Sequence, residues 1–348
     1  MRLTNLDPRY RRGFFMPYLD NISEENFESN ALAVFERQYA KNLRYRKWCD
    51  LLHRNPKNVR SLEAIPFFPV EQFKGHEIKT GDWEAETVFS SSTTTGGTPS
   101  LHYVKSVSAY DQICLAGFER EYGSIKNWTV LALLPSYLER EGSSLVHMAE
   151  GMIRESGSEE SGFYLYNHQD LIAILMRLQS KNRPTLLLGV TFALLDFAEK
   201  LANDDFGMGP QLHFPELHIM ETGGMKGRRI ELIREEVHAI LRNSFPVTTL
   251  DSEYGMTELF SQAYLKGSDV FKCPPWMRVY TRDIADPLDI PKQNGSRGAL
   301  QIIDLANEHT CAFLALSDQG RVFENGTFEV YGRLDNSEIR GCNLMVSL

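Results

Sequence analysis

The chain has 348 residues, room for roughly two domains of about 150 residues each. With 42% apolar and 24% charged residues it has the composition of a folded soluble protein, not of a disordered or low-complexity one. Lys and Arg number 37 against 46 Asp and Glu, a net charge of −9 that opposes a phosphate backbone and argues against nucleic acid as the main partner, a locally basic cleft aside. Met1–Arg12 is charged and lacks the apolar core of a signal peptide. The most apolar stretch, Thr185–Phe197, is shorter than the ~20 residues of a membrane span. The cysteines Cys49, Cys114, Cys273, Cys311 and Cys342 are scattered, odd in number and without a Cys-x-x-Cys pair. That excludes a disulfide scaffold or zinc ribbon and points to a reducing cytoplasm.

Residues 1–85 read as a helical N-terminal extension packed on the core. Phe27, Leu32, Phe35, Tyr39 and Leu43 predict one helix over Phe27–Leu52, ended by Pro56. Ile65-Pro66-Phe67-Phe68-Pro69-Val70 is a rigid extended apolar segment that needs a surface, expected on the next domain. Residues 86–262 alternate strands and helices: strand-like Glu86–Phe89 and Leu101–Val104, a buried strand Trp128–Leu134, a helix from Ser143, a helix Asp170–Gln179, a strand Thr185–Val190 and a helix to Leu201. A strand Glu216–Met220, a helix marked by Ile230, Ile233, Val237, Ile240 and Leu241, and a strand Pro246–Leu250 complete the series. This predicts an α/β core with a mainly parallel sheet flanked by helices. From 263 to 331 the helical period is gone. Short strands at Met277–Tyr280, Ala299–Asp304, Ala312–Leu316 and Thr327–Tyr331 predict a smaller antiparallel β subdomain.

Ligands of open parallel sheets bind beyond the carboxyl ends of the strands, and three loop segments carry chemistry. Phe89–Ser100 holds six consecutive hydroxyl residues, then Gly96 and Gly97; hydroxyls and Gly-turn amides can wrap a polyphosphate without a lysine. No Lys follows the glycines, so it is not the Gly-x-x-x-x-Gly-Lys-Ser/Thr loop, and alone it reads equally as a polar hairpin tip. Met220–Gly227 places Gly223 and Gly224 between a strand and a helix, where a flat ring can approach the backbone and the helix N-terminus favours an anion; a plain turn is the simpler alternative. Asp251–Glu258 offers Tyr254 to stack on a base, Thr257 for a phosphate and Glu258 for Mg²⁺, or is an acidic solvated loop. His102 can face an acyl carbonyl or a phosphate, or be a satisfied structural histidine. His147, His213, His218, His238 and His309 show no metal-ligand spacing. The Met and aromatic residues of Tyr103–Phe118 and Trp128–Leu138 line an acyl tunnel or are ordinary core.

In this order the three segments resemble the adenylate-forming (acyl-AMP) enzyme superfamily, whose hydroxyl loop reads Ser-Ser-Gly-Thr-Thr-Gly. Leu316-Ser317-Asp318-Gln319-Gly320 is similar to its ribose-binding Asp segment, and Gly332-Arg333-Leu334-Asp335 to its Gly-Arg-x-Asp hinge. Ile65–Lys74, Pro99-Ser100-Leu101-His102 and Glu221–Gly227 narrow the resemblance to the acyl-protein synthetases, the long-chain-fatty-acid–luciferin-component ligases, over residue 60 to the end. In that family a reactive cysteine stands near the C-terminus, as Cys342 does in Arg340-Gly341-Cys342-Asn343; by itself Cys342 reads equally as a small apolar side chain docking the terminus into the barrel. Thr93 stands where the family's loop has Gly, which brings a stiff β-branched side chain into it.

The resemblance implies a nucleotide site built from Ser91, Ser92, Thr94, Thr95, Gly96, Gly223, Gly224, Tyr254, Thr257, Asp318 and Arg333, with Mg²⁺ on Glu258 and Lys226 and His102 at the reacting groups. ATP and Mg²⁺ then activate a fatty or other carboxylic acid as acyl-adenylate, and Cys342 takes the acyl group as a thioester for an acyl-accepting protein such as a reductase. Arg340 beside it would lower the thiol pKa. Residues 332–348 are expected as hinge and mobile tail, without a full C-terminal lid domain. Two other readings stand: an ATP-independent cysteine acyltransferase or thioesterase, and, on account of Thr93, a non-catalytic nucleotide-binding subunit of a reductase complex. Oligomeric state is open.

Overall fold

The computed structural model describes residues 19–92, 97–135, 142–179, 181, 183–207, 214, 216–223, 232, 234–245, 247, 249–286, 288–289 and 291–333. The single helix expected over 27–52 is two, α1 (Phe27–Lys41) and α2 (Leu43–Leu51). Asn42 leaves the helical conformation between them, and its side chain caps α2 by accepting the Tyr45 N–H at 3.0 Å. Its amide donates to the Thr310 carbonyl at 2.9 Å, while Gln38 donates to the Asn307 and Glu308 carbonyls and accepts the Ala312 N–H at 3.0 Å. Gln38 from within α1 and Asn42 at the break thus reach the same distant turn. Phe35 and Tyr45 seal the contact against Phe313, with ring centroids at 6.4 and 5.9 Å.

A short strand β1 (Phe68–Pro69) and a hairpin of β2 (Thr87–Ser90) and β3 (Leu101–Val104) come next. Helix α3 (Val107–Tyr122), capped by the Ser106 hydroxyl, leads into β4 (Thr129–Leu133), and α4 (Ser144–Ser156) starts on a Ser143 cap. The chain continues through β5 (Gly162–Phe163), α5 (His168–Gln179), β6 (Thr185–Val190), α6 (Thr191–Ala202), β7 (Leu217–Thr222), α7 (Arg234–Ser244), β8 (Leu250–Tyr254) and β9 (Ala263–Lys266). These strands make one sheet in the order β5-β4-β6-β7-β8-β9, parallel except for β9. β4 and β6 are buried at every position, as strands covered on both faces must be. β8 begins four residues later than the expected Pro246 start, so Asp251, Ser252 and Glu253 are strand residues and not loop.

β10 (Met277–Arg282), β11 (Arg297–Asp304), β12 (Phe313–Val322) and β13 (Phe328–Arg333) form the antiparallel sheet. β12 extends well past the predicted Leu316, which puts Asp318 inside a strand. The apolar 65–70 segment lies on this sheet and not on the α/β unit. β1 pairs in parallel with β12 through Phe68↔Leu314 and Pro69↔Ala315, on the stretch of β12 that β13, pairing from Asp318 onward, leaves open. An edge is where a strand proline, lacking its N–H, is tolerated. Among the described residues no helix is long and apolar enough to cross a membrane.

Asn42→Ala removes the α2 cap and one of the two hydrogen bonds to the buried Thr310 carbonyl, which keeps the Thr80 hydroxyl at 2.6 Å, so it should cost about 1 kcal/mol in urea unfolding. Lys47→Ala on the exposed face of α2 is the control, with a change below about 0.5 kcal/mol.

Candidate functional site

A cleft of about 880 Å³ opens where the carboxyl ends of β7 and β8 face the β2–β3 hairpin and strands β12 and β13. Residues from all five sequence stretches line it: Ser91 and Ser92, Gly223, Thr257 and Glu258, Asp318, and Arg333. Thr94, Thr95 and Gly96 of the hydroxyl loop, Gly224 and Lys226 of the Gly-Gly turn, and Cys342 lie outside the described residues.

Each wall is held by local chemistry. The hairpin narrows below its tip because the Ser91 N–H donates to the Ser100 carbonyl at 3.1 Å and the Ser100 N–H to the Ser91 hydroxyl at 2.9 Å. At the end of β7, Gly223 has φ 65°, a left-handed turn conformation that glycine adopts at little cost. The Thr191 hydroxyl holds its carbonyl at 3.1 Å. A Cβ at Gly255 would lie 2.4 Å from Glu253 Oε1, so a larger residue there would displace the Glu253 carboxyl group.

The loop after β8, which carries Thr257 and Glu258, has its backbone satisfied by distant side chains. His102 Nδ1 lies 2.6 Å from the Thr257 carbonyl, and since a carbonyl only accepts, Nδ1 carries the proton. Asn307 donates to the Glu258 carbonyl at 2.7 Å, and Asp304 accepts the Phe260 and Ser261 N–H groups at 2.9 Å each.

Two expected site residues stand behind the wall. His102 is fully buried, with the Phe73 and Phe260 rings 6.0 and 5.9 Å away, and burial lowers its pKa to about 4. It is a neutral ring that positions Thr257, not a group facing an acyl carbonyl; the contact spans 155 residues and left no local signal. Tyr254 does not offer a stacking face. Its ring packs on Phe271 and Phe328, and its hydroxyl donates to Asp318 Oδ2 at 2.7 Å. Asp318 Oδ1 in turn accepts Arg333 Nε–H at 3.3 Å, across register partners of β12 and β13.

The sequence reading missed Glu253. It lines the cleft, is 8% exposed and accepts the Thr222 hydroxyl, which also lines the cleft. Burial, opposed by that hydrogen bond and reinforced by the neighbouring charge of Glu221, raises its pKa to about 7. Asp251 and Glu253 stand two apart and share one face of β8, and since Leu250–Glu253 are buried at every position, no period in the sequence marks which of them meets the cleft. Of the Tyr103–Phe118 stretch only Tyr110 lines the cleft among the described residues, beside Leu145 and Met148 of α4. The lining is acidic on balance, with Glu71, Glu253, Glu258 and Asp318 against Lys74 and Arg333.

This architecture is the fold of adenylate-forming ligases. 2-Hydroxyisobutyryl-CoA ligase in complex with 2-HIB-AMP and CoA, in the thioesterification state, superimposes with a TM-score of 0.65 at 15% identity, over 95% of this chain and 73% of the ligase. Its open conformation gives 0.60 at 14%, over 90% and 78%. ATP-bound MatB from Rhodopseudomonas palustris gives 0.50 at 13%, over 71% of this chain and 47% of MatB. In sequence, residues 16–129 match the family described as acyl-protein synthetase, LuxE, which bears out the resemblance drawn from the motifs. Among curated proteins nothing matches.

Glu253 ionises near pH 7 when folded and near 4.5 when unfolded, so between those values the folded state holds the extra proton. Its stabilising contribution is whole below about 4.5 and is lost as pH rises through 7. The wild type should therefore lose stability relative to Glu253→Gln between pH 5 and 8, by on the order of 3 kcal/mol, read from urea midpoints at each pH.

Proposed function

We propose that this protein uses ATP to activate a carboxylic acid, a fatty acid above all, as an acyl-adenylate, and then loads the acyl group onto Cys342. The observation that supports this most is the convergence of five separated nucleotide-type stretches on one cleft.

In the first step a carboxylate oxygen attacks the α-phosphorus of ATP, the bond to the bridging oxygen breaks, and pyrophosphate leaves with the electron pair. Both reactants are anions, so the site must supply positive charge and oriented donors. Ser91, Ser92 and Thr257 offer hydroxyls for phosphate oxygens. Asp318, held by the Tyr254 hydroxyl and Arg333, offers an acceptor to a ribose hydroxyl.

Glu258 lines the cleft, is 6% exposed and makes no ion pair with any described residue, and burial raises its pKa. A buried carboxylate in that position fits Mg²⁺, which takes one or two protein carboxylates together with phosphate oxygens and water. Mg²⁺ bound there would neutralise phosphate charge.

In the second step a thiolate attacks the acyl carbonyl and AMP leaves. Cys49, Cys114 and Cys311 are buried, Cys273 is half-buried, and desolvation raises all four thiols, Cys49 to about 12. None of these four suits a nucleophile. That favours Cys342 as the acyl carrier and an acyl-accepting protein, such as a reductase, as the partner that relieves it.

ATP–pyrophosphate exchange over acids of increasing chain length tests the first step; no exchange with any acid, in folded protein with Mg²⁺, overturns it. Glu258→Gln should lower exchange by about a hundredfold or more. Cys342→Ser should leave exchange intact and abolish the acyl adduct in intact-protein mass after incubation with ATP and the acid; an adduct that persists refutes the role of Cys342.

A further inference from the structure

The hydroxyl loop contains no lysine of its own: after the glycines the chain reads Thr98-Pro99-Ser100-Leu101-His102. The structure brings one to it from elsewhere. Lys74 directly follows a single helical turn, Val70–Phe73, and lines the cleft. Its backbone makes an isolated antiparallel bridge with Ser100, the residue that closes the base of the loop.

The strap that carries Lys74 is rigidly seated. β1 is paired to β12, the Tyr45 hydroxyl and Trp48 indole N–H hold the Pro66 and Phe67 carbonyls at 2.7 and 2.9 Å, and Phe73 is fully buried. On the far side Ser317, next to Asp318, donates its hydroxyl to Glu71 at 2.5 Å. The Lys74 backbone is therefore fixed between the hairpin and the strand of Asp318, with an exposed side chain at the cleft.

Charge singles it out. Arg333, the other described cation on the cleft, is ion-paired with Asp318 at 3.3 Å. Lys74 makes no ion pair with any described residue. An ammonium is a compact charge on a flexible stem, suited to follow a phosphate chain from ground state to leaving group.

On the reading that the cleft binds ATP, we propose that Lys74 contacts the β- and γ-phosphates and the departing pyrophosphate. The N-terminal strap thus supplies the cation that the loop lacks. As the bond between the α-phosphorus and the bridging oxygen breaks, the negative charge moves onto pyrophosphate, within reach of the Lys74 ammonium.

The test is calorimetric titration of the full chain with Mg-ATP and with AMP, in wild type, Lys74→Met and Lys74→Arg. Lys74→Met should weaken ATP by about tenfold or more and AMP by less than about twofold, with Lys74→Arg recovering most of the loss. In the exchange assay the KM for pyrophosphate should rise while that for the acid stays unchanged. Equal weakening of ATP and AMP, or none, overturns the assignment. A wild type that binds ATP but exchanges nothing retires the ligase reading while the ATP-to-AMP comparison still decides Lys74; a wild type that binds neither nucleotide overturns both.

Discussion

The loop from Gly255 to Gln262 joins β8 to its antiparallel neighbour β9 at the end of the six-stranded sheet, and burying it would leave its peptide groups without water. Three side chains remove that penalty. His102 takes the Thr257 carbonyl, Asn307 the Glu258 carbonyl, and Asp304 two successive N–H groups. An unmet buried peptide group costs about 1–3 kcal/mol, so the loop has one low-energy path, and that path presents Thr257 and Glu258 to the cleft. His102 comes from the hairpin and Asp304 and Asn307 from the end of β11 and the turn beyond it. The same hydrogen bonds that solve the loop's solvation problem therefore also join three walls of the site.

A second consequence is electrostatic. The cleft gathers carboxylates from strand ends and from the strap, and burial raises the pKa of both Glu253 and Glu258. Such a lining is unfavourable when empty of cations and becomes favourable only when positive charge enters or is brought close. Asp318 meets this locally through the Tyr254 hydroxyl and Arg333. Glu253 meets it by keeping a proton to about pH 7. Glu258 has no ion-pair partner among the described residues, and burial raises its pKa.

The N-terminal helices contribute through their connection and not through their own chemistry. Gln38 and Asn42 anchor them to the turn preceding β12, and Tyr45 and Trp48 hold the proline-bounded strap on the edge of that strand. Proline supplies the stiffness, since its fixed φ removes alternatives in the unfolded chain as well as in the folded one. The strap ends beside the base of the hydroxyl hairpin, so an apparently peripheral extension reaches the centre of the site.

Periodicity alone determined the alternating α/β region and the small antiparallel sheet, because burial on both faces writes continuous apolar runs such as Thr129–Leu133 and Thr185–Val190 into the chain. The hydroxyl, Gly-Gly, Tyr-Gly-x-Thr-Glu, Asp and Gly-Arg segments were legible as well, since polar residues at strand ends carry their chemistry in their identity. Helix and strand limits were less so: Asn42 splits a helix, and β8 and β12 run beyond their predicted ends, because caps and sheet partners far away in sequence decide where an element stops. Only the tertiary structure decided that His102 turns away from the cleft, that Tyr254 serves Asp318, and that Glu253 and Lys74 belong to the site. Each of these depends on a partner tens to hundreds of residues distant, and no local pattern encodes which surface a buried polar group will find to satisfy it.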